Sequence, residues 1–599
     1  MPAQLPSAED VNALHLRYAQ ERERRIRPDG VRQYRPTEAG FGSYGLDPHA
    51  RDADRTPLTD HVDVAVVGGG FGGLLAAARL RGRGVRRIRV VEKGGDFGGT
   101  WYWNRYPGVH CDVEAHVYLP LLDETGYVPR WKYAPGEEIR AHAVRVARAF
   151  DLYPDALFST VATSLHWEES AERWTVRTDR GDAFTATYVI TATGVLSDVK
   201  LPAIPGIEDF RGHAFHTARW DYAYTGGSPE GGMTGLADKR VGIVGTGATG
   251  VQVIPKLAED AERLYVFQRT PSTVDVRGNR RTEPADVGAG HEGWARSRRD
   301  NFLEVVSGEG AERDLVDDGW TRTAALLEKL TPSFRRTAAD DAYEAAYATA
   351  DAAKMNELRA RVEELVTDPD TAAALKPWYR YACKRPAFSD HYYPAFNRPN
   401  VVLVDTADTH GIERITPHGV VVAGVTYELD CLVFATGFSV GTSGVVSGRL
   451  PVHGRGGVQL LDQWAREGLR SLHGFTGNGF PNLIHMGSLH NASSVNFTHV
   501  LDEQATHAAA LVAAAEAAGA LIEPSRRAED AWIATLAKEA PTHEWFHAEC
   551  TPGYYNREGR GRPDGHAYPH SAVAFHALLA RWRESSLDEV LHPRTKPSS

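Results

Sequence analysis

Two glycine-rich loops, each placed between a short apolar strand and a helix, constrain the fold of this chain most strongly. Gly68-x-Gly70-x-x-Gly73 follows the run VDVAVV, and Gly245-x-Gly247-x-x-Gly250 follows KRVGIV. Glycines at this spacing permit a tight turn, a close approach of the backbone to a pyrophosphate and close packing of helix against strand. Each loop therefore predicts the start of a doubly wound, dinucleotide-binding α/β domain.

The predicted fold class is α/β, with two doubly wound Rossmann-type domains and a helical insertion in the second. We expect an N-terminal arm at 1–60, wrapped on the main body, and the first part of one dinucleotide domain at 61–200. The second domain is expected at 201–395, with the insertion at 285–380, where Ala, Arg, Glu and Asp recur at helical spacing. Residues 396–599 are expected to complete the first domain and to supply substrate and cofactor loops.

The residue that ends the returning strand of each unit indicates which dinucleotide it holds. Glu92 ends RIRVVEKG, where a carboxylate can bind a ribose diol. ERLYVFQR ends instead in Arg269. A carboxylate there would repel a 2′-phosphate, whereas a guanidinium pairs with it through two hydrogen bonds. The two units together predict FAD in the first domain and NADPH, rather than NADH, in the second.

Composition argues against several other classes of protein. A net charge of −11 lacks the basic footprint of a nucleic-acid binder. No run of 18 apolar residues occurs, and the N-terminus has no apolar signal-peptide core, so we expect a cytoplasmic protein without a membrane or nucleic-acid partner. Four scattered cysteines (Cys111, Cys383, Cys431, Cys550) argue against a disulfide framework, a zinc ribbon and a redox dithiol. The oligomeric state is not predicted.

One pattern points to different chemistry. The segment His543-Glu544-Trp545-Phe546-His547 matches H-E-x-x-H, which is typical of zinc proteases. The chain has 25 histidines, so chance matches are expected, and Pro541 and Pro552 leave room only for a short helix. No later histidine has the spacing of a third zinc ligand, and we therefore predict no metal site.

Two longer patterns stand beside the glycine loops. Phe210-x-Gly212-x-x-x-His216-x-x-x-Trp220-Asp221 lies just before the second glycine loop. Gly98-Gly99-x-Trp101-x-x-x-x-Tyr106-Pro107-Gly108-x-x-x-Asp112 follows the first strand–helix–strand unit. With Gln268-Arg269-Thr270-Pro271 and Lys384-Arg385-Pro386, these patterns resemble signatures of the type I Baeyer–Villiger monooxygenases over about residues 60–500. Trp220-Asp221 favours this branch over the related flavin-containing and N-hydroxylating monooxygenases.

The resemblance implies an enzyme that uses FAD, NADPH and O₂ to convert a ketone to an ester or lactone through an anionic flavin peroxide. It implies that Arg385, which stays charged at any relevant pH, stabilises that peroxide and the following oxyanion. Asp112 is expected to position Arg385, and Lys384 to reach the 2′-phosphate. His216 and Trp220 are expected to couple movement of the NADPH domain to catalysis.

Further residues are expected to contact the two cofactors. They are Gly68, Gly70, Phe71, Gly73, Glu92, Lys93, Gly99, Thr100, Trp101, Asp112, Tyr118, Gly245, Thr246, Gly247, Gly250, Gln252, Arg269, Thr270 and Lys384.

The arm RYAQERERRIRPDGVRQY and the late segment CTPGYYN (550–556) are similar to a long-arm subgroup of the family. It includes cyclopentadecanone monooxygenase and lactone-forming enzymes of pentalenolactone biosynthesis, so a bulky, cyclic or terpenoid ketone is expected. Many family members place a tryptophan in this late loop, whereas here it reads TPGYYN. The alternatives are a monooxygenase of nitrogen or sulfur centres and a nucleotide-bound regulatory protein without turnover.

Overall fold

The computed structural model describes residues 5–35, 42–50, 55–196, 198–330, 341–439, 449–539, 544–561 and 567–594. Each glycine loop follows a central strand of one of the two larger sheets, and a helix begins directly after the loop. The predicted α/β class with two doubly wound dinucleotide-binding domains is confirmed.

The first sheet has eight strands among the described residues. His61–Val67 lies in its middle, parallel to Ile88–Val91 on one side and to Ala183–Thr191 on the other. The strand order is Val452–His453, Ala162–Glu168, Arg173–Thr178, Ala183–Thr191, His61–Val67, Ile88–Val91 and Ala156–Leu157, with Leu483–His485 pairing to Ala183–Thr191 outside that path. The central strand is buried over most of its length, as a parallel strand covered on both faces must be.

The second sheet is parallel throughout. Its strand order is Val401–Asp405, Arg263–Gln268, Arg240–Val244, Cys431–Phe434 and His213–His216. A small antiparallel sheet of Arg414–Thr416, Gly419–Val422 and Val425–Glu428 follows the first of these strands along the chain.

The domain boundary expected at residue 395 is wrong. Val401–Asp405 pairs with Arg263–Gln268, and Cys431–Phe434 pairs with Arg240–Val244, so both belong to the second sheet. Both strands are short apolar runs without a glycine loop of their own. Their sheet is therefore decided by pairing partners distant in the chain, which local sequence pattern does not encode. Chain from residue 449 onward returns to the first sheet through Val452–His453.

Helices cover both sheets and fill the region of the expected insertion. The α-helices are Ala8–Glu23, Phe71–Gly82, Thr100–Trp103, Ala115–Tyr118, Leu122–Thr125, Gly136–Ala149, Tyr222–Thr225, Ala248–Asp260, Trp294–Ser307, Gly319–Leu330, Asp341–Leu365, Pro369–Leu375, Tyr392–Ala395, Leu460–Glu467, Phe497–Ala518, Arg526–Glu539, Glu544–Glu549 and Ala572–Ser585. None of the helices in the described ranges has the length and apolar character that a bilayer-spanning segment needs.

The N-terminal arm lies against the second domain. Its helix, Ala8–Glu23, contacts the insertion helix Asp341–Leu365, and Tyr34–Arg35 pairs antiparallel with Leu201–Pro202. The side chain of Arg25 donates a hydrogen bond to the carbonyl oxygen of Arg269 at 2.8 Å. The arm therefore reaches the strand end at which the sequence predicts the 2′-phosphate.

Two of the four cysteines form one disulfide, a pairing that the sequence did not predict. Cys383 and Cys550 are buried and bonded across 167 residues of chain, while Cys111 and Cys431 are buried and free. The pairing could not be predicted from the sequence, because the two cysteines are far apart in the chain. The fold brings the segment before Lys384-Arg385 next to the start of the late loop. The bond thereby ties that loop to the segment that carries Arg385.

We expect thiol titration of the denatured enzyme to detect this bond. Protein purified without reductant should titrate two thiols per chain, from Cys111 and Cys431, and reduction should raise the number to four. Cys550→Ala should titrate three thiols both before and after reduction, because Cys383 loses its partner and joins Cys111 and Cys431 as a free thiol. Four thiols in unreduced wild-type protein would contradict the assignment.

Candidate active site

The first glycine loop places a helix N-terminus where a pyrophosphate can bind. The helix Phe71–Gly82 begins at Gly70, which offers no side-chain cap, so its first amides are left for a ligand. A Cβ at Gly73 would overlap the carbonyl oxygen of Gly68, which explains why this position needs glycine. The loop has the form of a phosphate cradle and fits a dinucleotide.

Glu92 lies beside this loop, as the sequence predicts. It is 5% exposed, and its carboxylate accepts hydrogen bonds from the Gly69 amide at 2.5 Å and the Gly94 amide at 2.6 Å. Burial raises the pKa of the Glu92 carboxyl, although these two amides oppose that shift. The second lone pair of each oxygen stays available for a ribose diol.

Aromatic side chains form the next wall of the site. Trp101 donates its indole N–H to the Tyr118 hydroxyl at 2.9 Å, and Phe71 meets the Tyr118 ring edge to face. Trp101 lies in the short helix that begins at Thr100, directly after Gly99, and Lys93 lies over the ring of Trp103. These predicted residues thus line one continuous surface from the glycine loop to Tyr118.

The second glycine loop repeats the geometry of the first. The helix Ala248–Asp260 begins after Gly247, again without a side-chain cap, and a Cβ at Gly250 would overlap the carbonyl oxygen of Gly245. Thr246 donates a hydrogen bond to the carbonyl oxygen of Thr270 at 3.1 Å. The hydroxyl of Thr270 is buried without a hydrogen-bond partner among the described residues, a donor that a ligand in this loop could use.

Gln252 does not point to the cofactor loop alone. Its amide oxygen accepts a hydrogen bond from the His110 backbone amide at 3.0 Å, and its amide nitrogen donates to the His110 carbonyl oxygen at 3.3 Å. Gln252 therefore joins the second domain to the segment that precedes Asp112. The sequence predicts that Gln252 contacts a cofactor, whereas in the structure its side chain bonds to the backbone of the other domain.

Arg269 and Lys384 face the same buried space. Arg269 pairs with Glu558 of the late loop at 2.9 Å. Burial and the neighbouring Arg269 charge lower the pKa of the Lys384 ammonium to about 8. Two cations this close favour an anionic ligand between them.

Arg385 and Asp112 form an ion pair between the two domains. The Arg385 Nε and Nη2 atoms donate to the two oxygens of Asp112 at 2.7 and 2.8 Å. Burial alone would lower the pKa of Arg385, but the Asp112 carboxylate more than offsets burial and raises it. The Arg385 side chain stays 32% exposed. Its Nη1 has no hydrogen-bond partner in the part of the chain that the structure describes.

Three aromatic residues at this ion pair were missed by sequence reasoning. Trp320, from the helical insertion, donates its indole N–H to the Asp112 carbonyl oxygen at 2.8 Å and lies 5.2 Å below the Arg385 guanidinium. Tyr554 and Tyr555, with ring centroids 4.3 Å apart, lie close enough to interact with the Arg385 charge. The sequence TPGYYN, where many family members have a tryptophan, was the only sign that the two tyrosines could lie at the site. No sequence pattern pointed to Trp320, because tertiary packing decides where its helix lies.

The predicted linker residues are buried at the second domain. His216 ends the edge strand His213–His216, and its ring accepts a hydrogen bond from the Ala218 amide at 3.1 Å. Trp220 donates its indole N–H to Thr225 at 3.1 Å. Neither contact involves Arg385, which agrees with a structural place in the linker.

The H-E-x-x-H pattern cannot be placed, because His543 lies outside the described residues. A different cluster, His499, Glu503 and His576, brings three possible ligand atoms within 4.8 Å of one another. Arg299 interacts with all three of these side chains, and its charge further lowers the pKa of the buried His499 and of the half-buried His576. That guanidinium opposes a cation, so we derive no metal site from the cluster.

Comparison with known proteins identifies the family. Residues 66–130 match the NAD(P)-binding Rossmann-like domain, and residues 131–291 match the flavin-binding monooxygenase-like family. A Baeyer–Villiger monooxygenase of Streptomyces coelicolor is 71% identical over 596 residues, which cover 99% of both chains. This chain belongs to the Baeyer–Villiger monooxygenases.

Two further relatives are similar over nearly the whole chain. Pentalenolactone D synthase of Streptomyces arenae is 48% identical over 587 residues, covering 96% of this chain and 98% of that one. The solved structure of a polycyclic ketone monooxygenase from Thermothelomyces thermophila has a TM-score of 0.92 at 36% identity, covering 98% of this chain and 100% of that chain.

These findings confirm the predicted reaction class and both cofactors. The chain is an NADPH-dependent flavoprotein monooxygenase with FAD, and its substrates are a ketone and O₂. The Baeyer–Villiger interpretation is confirmed over the nitrogen- or sulfur-oxidising alternative. Both uncapped glycine loops and the placement of Glu92 fit the two dinucleotides.

We expect Gly73→Ala to abolish FAD binding, because its Cβ would overlap the Gly68 carbonyl oxygen and force the loop open. The purified variant should be colourless, with less than about a tenth of the wild-type flavin absorbance. Gly82→Ala is the matched control at the end of the same helix, where no described atom lies within 4 Å of an added Cβ. A yellow Gly73→Ala protein would show that this loop does not hold the flavin.

Proposed function

We propose that Arg385 is the catalytic cation of the Baeyer–Villiger reaction and that Asp112 is its positioning residue. The carrying observation is the two-point contact between them, which fixes the plane of the guanidinium and leaves Nη1 available to a reacting oxygen. A fixed guanidinium stabilises negative charge on oxygen without reorganising, which is how preorganised donors lower a barrier. Because the Asp112 pair raises the pKa of Arg385, that charge persists at every working pH.

The residues around this pair supply the remaining functions. When bound, FAD, once reduced by NADPH, supplies the activation of O₂. Glu92 and the amides after Gly70 hold its ribose and pyrophosphate. Trp101 and Tyr118 line the path from that loop towards Asp112, and they exclude water from it.

We assign the 2′-phosphate of NADPH to Arg269 and Lys384. Arg269 directly follows the strand that returns after the second glycine loop, where a phosphate on the adenosine ribose would reach, and Lys384 lies close enough to interact with its charge. The assignment places NADPH in residues 201–439 and FAD in residues 61–196 together with the chain from 449 onward.

The proposed substrate is a bulky cyclic or terpenoid ketone, and its product is a lactone. The likeness to pentalenolactone D synthase and to a polycyclic ketone monooxygenase supports this class. A panel under NADPH, from cyclohexanone to macrocyclic and tricyclic ketones, tests it by the ranking of kcat/KM. We also propose a cytoplasmic location, which fractionation of producing cells tests.

We expect Arg385→Ala to keep FAD but make almost no ester. Loss of one preorganised partner of the oxyanion costs about 3–4 kcal/mol, so the residual rate should fall below about 1% of wild type. NADPH still consumed should end as hydrogen peroxide. Arg385→Lys should fail nearly as badly because an ammonium lacks the planar fork, whereas Asp112→Ala should be milder. Ester formation by Arg385→Ala at a near wild-type rate would remove Arg385 from the mechanism.

We expect Arg269→Ala to weaken NADPH selectively. Loss of a charge-assisted contact costs about 1.5–3 kcal/mol, so the KM for NADPH should rise roughly tenfold or more while that for NADH changes little. Arg240→Ala is the control, since Arg240 pairs with Glu428 and Asp430 on the same domain. If the NADPH to NADH ratio of Arg269→Ala equals that of wild type, the phosphate lies elsewhere.

A further inference from the structure

The guanidinium of Arg269 is engaged by two segments outside its own sheet. Its Nη1 donates a hydrogen bond to the side-chain oxygen of Gln33 in the arm, and its Nη2 donates to Glu558 Oε2 at 2.9 Å. A phosphate held by two parallel hydrogen bonds needs at least one of these terminal nitrogens, together with the other or with Nε. Arg269 therefore holds a carboxylate where its assigned ligand would present phosphate oxygens.

The charges around Glu558 do not balance. Arg269, Lys200 and Lys384 all interact with this carboxylate, which is 4% exposed. Burial opposes ionisation of Glu558, but these three cations hold its pKa below the ordinary value. Three cations around one buried carboxylate leave an excess of positive charge, which attracts a phosphate to the site even while Glu558 is paired with Arg269.

The backbone at Glu558 is strained and held from both sides. Arg557 and Glu558 adopt φ of 50° and 58°, a region that non-glycine residues enter at a cost. Asn556 pins the turn by accepting hydrogen bonds from the Gly553 and Gly559 amides at 3.0 and 3.1 Å. The contact between Glu558 and Arg269 is therefore one of several interactions that hold this strained turn.

We propose that Glu558 is an internal competitor for the 2′-phosphate, so that its carboxylate and the phosphate of NADPH are alternative partners of Arg269. The inference rests on the proposed assignment of the phosphate to Arg269. In the free enzyme Glu558 pairs with Arg269 and offsets part of the positive charge of Arg269, Lys200 and Lys384. Arrival of the phosphate displaces it and frees the late loop from Arg269, which NADH, having no phosphate, does not do. Glu558 is thereby a specificity-determining residue that weakens NADPH binding and hastens its release.

The test compares Glu558→Gln with wild type as full-length, FAD-loaded enzyme, using NADP⁺ and NAD⁺ in calorimetric titrations without turnover. Removal of the competing charge should tighten NADP⁺ about tenfold and leave NAD⁺ within about twofold. Glu558→Asp, which keeps the charge on a shorter side chain, should fall between the two. Glu428→Gln makes the same change in an exposed ion pair with Arg240 of the same domain and should alter neither affinity.

The double variant Arg269→Ala/Glu558→Gln tests separately whether Glu558 competes for Arg269 and whether Arg269 binds the 2′-phosphate. Glu558→Gln should not tighten NADP⁺ when Arg269 is absent, because the competition is for that side chain. If Glu558→Gln weakens NADP⁺ and NAD⁺ together, or changes neither, the competitor role is overturned even where Arg269→Ala selectively loses NADP⁺. If Arg269→Ala loses both equally, the phosphate assignment itself fails.

Discussion

The ion pair between Asp112 and Arg385 is the contact on which the arrangement of the site depends. Asp112 follows the first glycine-loop unit, and Arg385 follows the helical insertion of the second domain. Neither domain alone therefore contains the charged centre. Gln252 and Trp320 strengthen the same junction, because one binds the backbone just before Asp112 and the other binds the Asp112 carbonyl oxygen.

Burial of the Arg385 charge costs free energy, and neighbouring groups offset that cost. Burial destabilises a lone guanidinium, and the carboxylate at 2.7 and 2.8 Å compensates by raising the pKa of Arg385. The disulfide between Cys383 and Cys550 fixes the chain two residues before Arg385 and ties it to the late loop. The start of the late loop is therefore anchored beside the segment that carries Arg385.

The sequence predicted those parts of the molecule that depend on local pattern. The glycine loops, Glu92 and the long ordered signatures around Asp112 and Trp220 identified two dinucleotide domains and their cofactors. Contacts made over long chain separations were missed: the strands Val401–Asp405 and Cys431–Phe434 were given to the wrong sheet, and the pairing of Cys383 with Cys550 was not predicted. No motif identified Glu558, because the sequence of a polar loop does not show whether one of its glutamates will pair with a distant arginine such as Arg269.

The central claim is that a positive charge at position 385, and not merely a filled space, allows the reaction. Chemical rescue of Arg385→Ala tests it most directly, with guanidinium added below denaturing concentration and urea as the neutral molecule of matched shape. Ester formed per NADPH consumed should rise with guanidinium and saturate, while urea should leave it unchanged. Equal rescue by urea, or rescue by neither, would contradict the account.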